Sequence, residues 1–145
     1  MELYSIEVDR LARKANELYE NKQYDEAIKI WKEALELIPE PKESYYETRR
    51  ILLAIGDTYF LQQKYPEAFE YYYKIHGDKS IESVNFYILL RLGECYFELG
   101  EEENAKKFLY KAYTIGGIDI FELEEGPDGG WKYYAFLKAH FENLE

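Results

Sequence analysis

Apolar residues along this chain recur at offsets of three and four, and polar or glycine-containing breaks interrupt them at similar intervals. Leu11, Ala15, Leu18 and Tyr19 fall on one helical face. After a polar break at residues 21–23, a second stretch runs through Tyr24, Ala27, Ile28, Trp31, Ala34, Leu35 and Ile38. Pro39 and Pro41 stop it, because proline lacks an amide donor and disfavours helix in the residue before it. Leu52, Ile55, Gly56, Tyr59 and Phe60 form a third face, and Tyr65, Ala68, Phe69, Tyr72 and Ile75 a fourth. Pro66 sits in the first turn of that fourth helix, where proline is tolerated, and Gly77 is placed to end it. Ser80 reads as the N-cap of the next helix, with Glu82 in its first turn. A third pair follows: Leu89, Leu92, Gly93, Tyr96 and Phe97, a turn at Gly100, then Ala105, Phe108, Leu109 and Ala112 up to Gly116 and Gly117. A last helix carries Tyr134, Leu137 and Phe141 on one face.

Superposing the pairs exposes a repeat. Ala15, Gly56 and Gly93 are equivalent, as are Leu18, Tyr59 and Tyr96, then Ala27, Ala68 and Ala105, and finally Ala34, Ile75 and Ala112. The three equivalent alanines are 41 and 37 residues apart. That is slightly above the ~34 of the helix–turn–helix repeat class, and the excess falls in residues 39–48 and 77–83. Small residues let two helix backbones approach, and a large aromatic one turn on fills the space beside them.

With small residues at the helix crossing and an aromatic one turn later, the chain resembles the tetratricopeptide family over residues 8–119. Glu102 stands where Tyr24 and Tyr65 open the other second helices, and Ile75 replaces an alanine. The resemblance implies an all-α superhelix, a solenoid in one domain spanning residues 1–145. Its three helix–turn–helix repeats would lie at about 8–41, 49–82 and 86–119. A C-terminal capping helix at 131–143 would bring the count to about seven helices. Such arrays expose an apolar face at each end, which a cap covers.

Composition narrows the function. A chain of 145 residues with 47% hydrophobic content buries a core and leaves no room for a separate catalytic domain. With 18 Lys and Arg against 29 Asp and Glu, the net charge of −11 repels phosphate backbones and anionic membrane surfaces. A nucleic-acid partner is therefore not expected, and a basic protein partner is. Residues 1–10 lack the basic start and apolar run of a signal peptide. No uninterrupted apolar stretch is long enough to span a membrane. Cys95 is the only cysteine, so no intrachain disulfide forms, which fits a cytoplasmic protein.

Little in the chain points to chemistry. Cys95 lies beside the apolar stripe of its helix and reads as a buried, inert thiol. His76 at a helix C-terminus and His140 on the last helix are isolated from other metal ligands. Residues 122–130 are acidic and glycine-rich, but they lack the Lys-Ser/Thr of a phosphate loop and the ligand spacing of a calcium loop. They read as a solvated turn. No catalytic residue, metal site or cofactor is expected.

The resemblance implies instead that the first helix of each pair lines a concave face holding a partner. The outward positions of those helices are Arg13, Asn16, Glu20, Arg50, Asp57, Arg91, Glu94 and Glu98. One subfamily grips a C-terminal carboxylate there with Lys, Asn and Arg. Asn16 and Arg91 match two of its positions, but Ala12 and Tyr87 replace the lysines and Ala54 the middle asparagine. Capture of a C-terminal carboxylate by that clamp needs several converging cations, so the clamp is not expected. Tyr45, Tyr46, Tyr71 and Tyr73 exceed the needs of one core stripe and suit an interface. The tail carries a second resemblance: Ile120-Phe121-Glu122, acidic residues, Lys132-Tyr133 and Phe136-Leu137-Lys138 resemble the ending of small bacterial tetratricopeptide proteins encoded beside polymorphic toxins. That resemblance implies an immunity protein that occludes a toxin. The alternative is an adaptor or chaperone that takes an extended peptide in the concave groove.

Overall fold

The structure is a computed structural model that describes residues 3–77, 86–122 and 130–141. Among them every regular element is helical, and the chain divides into two compact units, Met1–Ser80 and Ile81–Glu145.

Unit 1 contains two helical hairpins. The first pairs α1 (Leu3–Glu20) with α2 (Tyr24–Leu37), and the second pairs α3 (Tyr46–Leu61) with α4 (Tyr65–His76). Ala15, Ala27, Ala34 and Ala68 are completely buried where the helices cross. Val8, Ile28, Trp31, Ile38, Ile51 and Ile55 fill the core around them. The link from α2 to α3 is a single 3-10 turn, Lys42–Ser44. There the Lys42 ammonium closes the end of α2, donating to the carbonyls of Leu35 at 2.8 Å and Ile38 at 2.5 Å. α1 starts at Leu3, ahead of the repeat boundary expected at residue 8, and Tyr4 meets Tyr45 edge-on at 5.7 Å.

Unit 2 holds the third hairpin, α5 (Phe86–Glu98) and α6 (Glu102–Gly116). It continues into α7 (Asp119–Glu122) and α8 (Trp131–His140). Eight helices are therefore present among the described residues, one more than expected. The addition is α7: Gly117 at φ +75° breaks α6, and the next turn drops Ile120 and Phe121 into the core. α8 buries Tyr133 and Leu137 in the same core as Leu109, Ala112 and Phe121. It ends at His140, shorter than the 131–143 read from the sequence, because Phe141 is extended. The Ser80 cap and most of the acidic 122–130 segment lie outside the described residues.

The repeat is visible in the backbone as well as in the core. Lys22, Gln63 and Gly100 each precede the equivalent alanine by five residues, and each has positive φ, at 62°, 61° and 82°. In each turn the next amide reaches back five residues: Gln23 to Leu18 at 2.8 Å, Lys64 to Tyr59 at 2.9 Å and Glu101 to Tyr96 at 2.9 Å. This pattern closes a helix C-terminus around a left-handed residue. Opposite Gly56 and Gly93 of the first helices stand Tyr72 and Leu109 of the second, large residues at one repeat position that Trp31 fills in the first hairpin. A Cβ added at Gly56 would come 3.0 Å from the Tyr72 ring, and one at Gly93 would meet the Leu109 backbone nitrogen at 2.9 Å.

Candidate binding face

Candidate functional side chains fall on the first helices of the hairpins. On α1, Arg13, Asn16 and Glu20 are exposed, and Arg13 makes only a 3.5 Å contact with Asp9 one turn back. Arg10 pairs with Glu7 on the same helix. The bond to Arg10 holds the Glu7 carboxyl below its usual range and raises Arg10. On α3, Arg50 is exposed and lies over the Tyr46 ring at 5.6 Å. Asp57 is half-buried and accepts a 2.6 Å hydrogen bond from the hydroxyl of Tyr72, which is completely buried.

Unit 2 treats the corresponding residues differently. Glu94 was read as outward-facing, but it is completely buried, with Arg91 donating to its Oε1 at 3.0 Å. Arg91 also donates to the Tyr87 hydroxyl at 3.0 Å. Glu98 accepts from Lys132 at 2.7 Å and from the Tyr133 hydroxyl at 2.9 Å, which ties the end of α5 to α8. Phe97 packs edge-on against Tyr133 and Phe136 beside that tie.

Sequence reasoning missed a cluster between α2 and the C-terminal end of α3. A cleft of about 510 Å³ is lined by Asp25, Ile28, Lys29, Lys32, Glu33 and Glu36 of α2, with Tyr59 and Lys64 opposite. Lys32 donates to the Tyr59 hydroxyl at 3.0 Å, and that bond raises the lysine pKa. Tyr71 lies against Tyr59 at 5.9 Å, with the Lys74 ammonium 4.6 Å from its ring. Burial pushes the Tyr71 phenol up. The only sequence signal was the excess of tyrosines. That excess divides in the structure: Tyr45 packs on Tyr4, Tyr71 joins this cluster, Tyr73 stacks on Phe69 at 5.6 Å, and Tyr46 is open to solvent.

Cys95 is completely buried, and burial pushes its thiol up to about 12, with Glu94 adding to the shift. A thiol held neutral in this way is a poor nucleophile. His140 Nδ1 lies 2.9 Å from the Phe136 carbonyl of its own helix. Among the described residues no group of three or more His, Cys, Asp or Glu could hold a metal ion. No helix among them is long and apolar enough to cross a membrane.

Family models described as tetratricopeptide repeat match residues 9–76 and residues 86–115. The chain is a tetratricopeptide-repeat protein. Solved tetratricopeptide-repeat structures share its fold. The domain of FLU from Arabidopsis is 25% identical, with a TM-score of 0.65 over 77% of this chain and 96% of that one. The type III secretion translocator chaperone SycD of Yersinia enterocolitica is 19% identical, with a TM-score of 0.66 over 95% of this chain and 86% of that one. SycD in complex with a peptide of the translocator YopD is also 19% identical, with a TM-score of 0.62 over 90% and 89%. No curated protein matches the chain in sequence. Tetratricopeptide repeats serve as protein-interaction modules. Among the first-helix positions, those of α1 and Arg50 of α3 are accessible in this repeat protein.

Proposed function

We propose that this chain binds an extended segment of a partner protein on the first-helix face of unit 1, as an adaptor or chaperone with no chemistry of its own. The observation that carries this reading is the exposure of Arg13, Asn16, Glu20 and Arg50, whose recorded contacts are local to their own helices. Several polar side chains of both signs on two neighbouring repeats suit a main chain with mixed side chains better than a single charged group. The peptide-bound SycD structure has the same fold and supports a peptide as the form of ligand. The protein works in the reducing cytoplasm, where Cys95 stays a thiol. The test is capture of the partner from the native source, followed by binding to a variant carrying Arg13→Glu and Arg50→Glu. The expected result is at least a roughly ten-fold loss of affinity with unchanged helicity, as for loss of central interface residues. Full retention of the partner contradicts the reading.

A second reading has the partner as a basic toxin, which this chain neutralises by covering its active site. The net charge of −11 supports it through fast association with a basic surface. Co-expression separates the two readings. Rescue of growth together with a stable complex on size exclusion supports immunity. Undiminished lethality with no complex removes it.

A further inference from the structure

Tyr46 opens α3 and is 72% exposed, more than any other large apolar residue among the described residues. The backbone beneath it is held firmly. The Thr48 hydroxyl donates to the Lys42 carbonyl at 2.6 Å, and the Tyr45 amide donates to the same carbonyl at 3.1 Å. The Tyr45 ring is fixed against Tyr4. One turn on, the Arg50 guanidinium lies 5.6 Å from the Tyr46 centroid. Arg10, Arg13 and Arg91 each contact a carboxylate. Arg50 has none among the described residues, although Glu47 stands one turn before it. A guanidinium packed on a ring keeps its N–H edge available, and that edge matches a carboxylate with two parallel donors. The rest of the ring offers apolar area at low entropic cost. Tyr and Arg are also the residue types that dominate binding energy at interfaces.

We infer that Tyr46 and Arg50 anchor a partner segment in which one carboxylate side chain neighbours an apolar one. The inference rests on the first-helix reading above and names the chemistry of its ligand. An acidic run would be repelled by the chain's net charge. The segment therefore carries a single Asp or Glu in neutral or basic surroundings. Long-range attraction comes from its basic residues and the local contact from its one acid.

The test is a 1H–15N titration of the whole chain with a blocked eight-residue peptide containing one Glu beside one Phe among Ala and Lys. A second peptide has Gln in place of that Glu. The first is expected to shift resonances of residues 46–50 saturably. Changing the peptide Glu to Gln, or Arg50→Gln in the protein, weakens binding roughly five-fold or more, as for loss of a charge-assisted pair. Making both changes costs little beyond either one, the mark of a direct pair. Tyr46→Ala weakens both peptides. Equal affinity for the two peptides, or no saturable shift at residues 46–50, overturns the anchor. Shifts confined to residues 13–20 overturn it while leaving the first-helix reading standing, and that reading fails separately if the captured partner ignores charge reversal at Arg13 and Arg50.

Discussion

One position of the repeat carries Asn16 in the first hairpin, Asp57 in the second and Glu94 in the third. Asn16 is exposed, Asp57 is half-buried under the Tyr72 hydroxyl, and Glu94 is completely buried against Arg91. Four residues further along, Glu20 is exposed while Glu98 is tied to Lys132 and Tyr133 of α8. Unit 1 thus leaves Asn16 and Glu20 open to solvent while Asp57 is tied to Tyr72, and unit 2 uses both Glu94 and Glu98 to hold itself together. At Glu98 the difference comes from the cap, because α8 supplies Lys132 and Tyr133 as its partners; at Glu94 it comes from Arg91, one turn back on α5. A family pattern alone places all three residues on one binding face. Only the packing shows that half of that face is committed.

The comparison is tested most severely at Glu94. Removing one member of a buried ion pair strands the other, so Glu94→Ala should cost about 3 kcal/mol. Asn16→Ala, at the same repeat position, should stay within about 0.5 kcal/mol. Urea denaturation of both variants reads the contrast, and similar costs at the two sites would refute it.

Next in size is Gly93→Ala. Its Cβ would meet Leu109 backbone, so overpacking should cost about 1–3 kcal/mol. The equivalent first-repeat residue, Ala15, already carries that methyl group and is completely buried. Thermal unfolding of the Gly93 variant checks this expectation.

Cys95 gives a pH signature of the same core. Its thiol ionises near 9.0 when unfolded and near 12 when folded. The stabilisation from keeping it neutral is complete below pH 9 and disappears as pH rises towards 12. The stability difference between wild type and Cys95→Ala should therefore fall by about 1 kcal/mol between pH 8 and pH 10. Denaturation series at both pH values measure it.

The smallest effect belongs to the turns. Lys22 and Gln63 hold left-handed backbone that costs a side chain about 1 kcal/mol, a cost Gly100 avoids in unit 2. Lys22→Gly or Gln63→Gly should raise the stability of unit 1 by up to about 1 kcal/mol, read as a shift in the melting temperature.

The hairpins, their crossing residues and the family were legible in the sequence. Ala15, Gly56, Gly93 and the aromatics one turn later recur in register, and packing geometry demands those sizes. The turns were legible only as polar breaks, because Lys22 and Gln63 give no sign of positive φ as a glycine would. α7 was missed because one turn of helix has no periodicity to detect. On the candidate face, Arg13, Asn16, Glu20 and Arg50 are exposed, as helical phase puts them. Glu94 is not, because a charged residue on an amphipathic helix reads as outward until Arg91 is seen beside it. The cleft beside Lys32 and Tyr59 joins residues 27 positions apart, and no local pattern marks it.

The central claim is that unit 1 binds and unit 2 supports. Hydrogen–deuterium exchange of the chain with and without its captured partner tests it directly. The account predicts new protection across α1 and α3 with little change across α5. Protection concentrated on α5, with α1 and α3 unchanged, would contradict it.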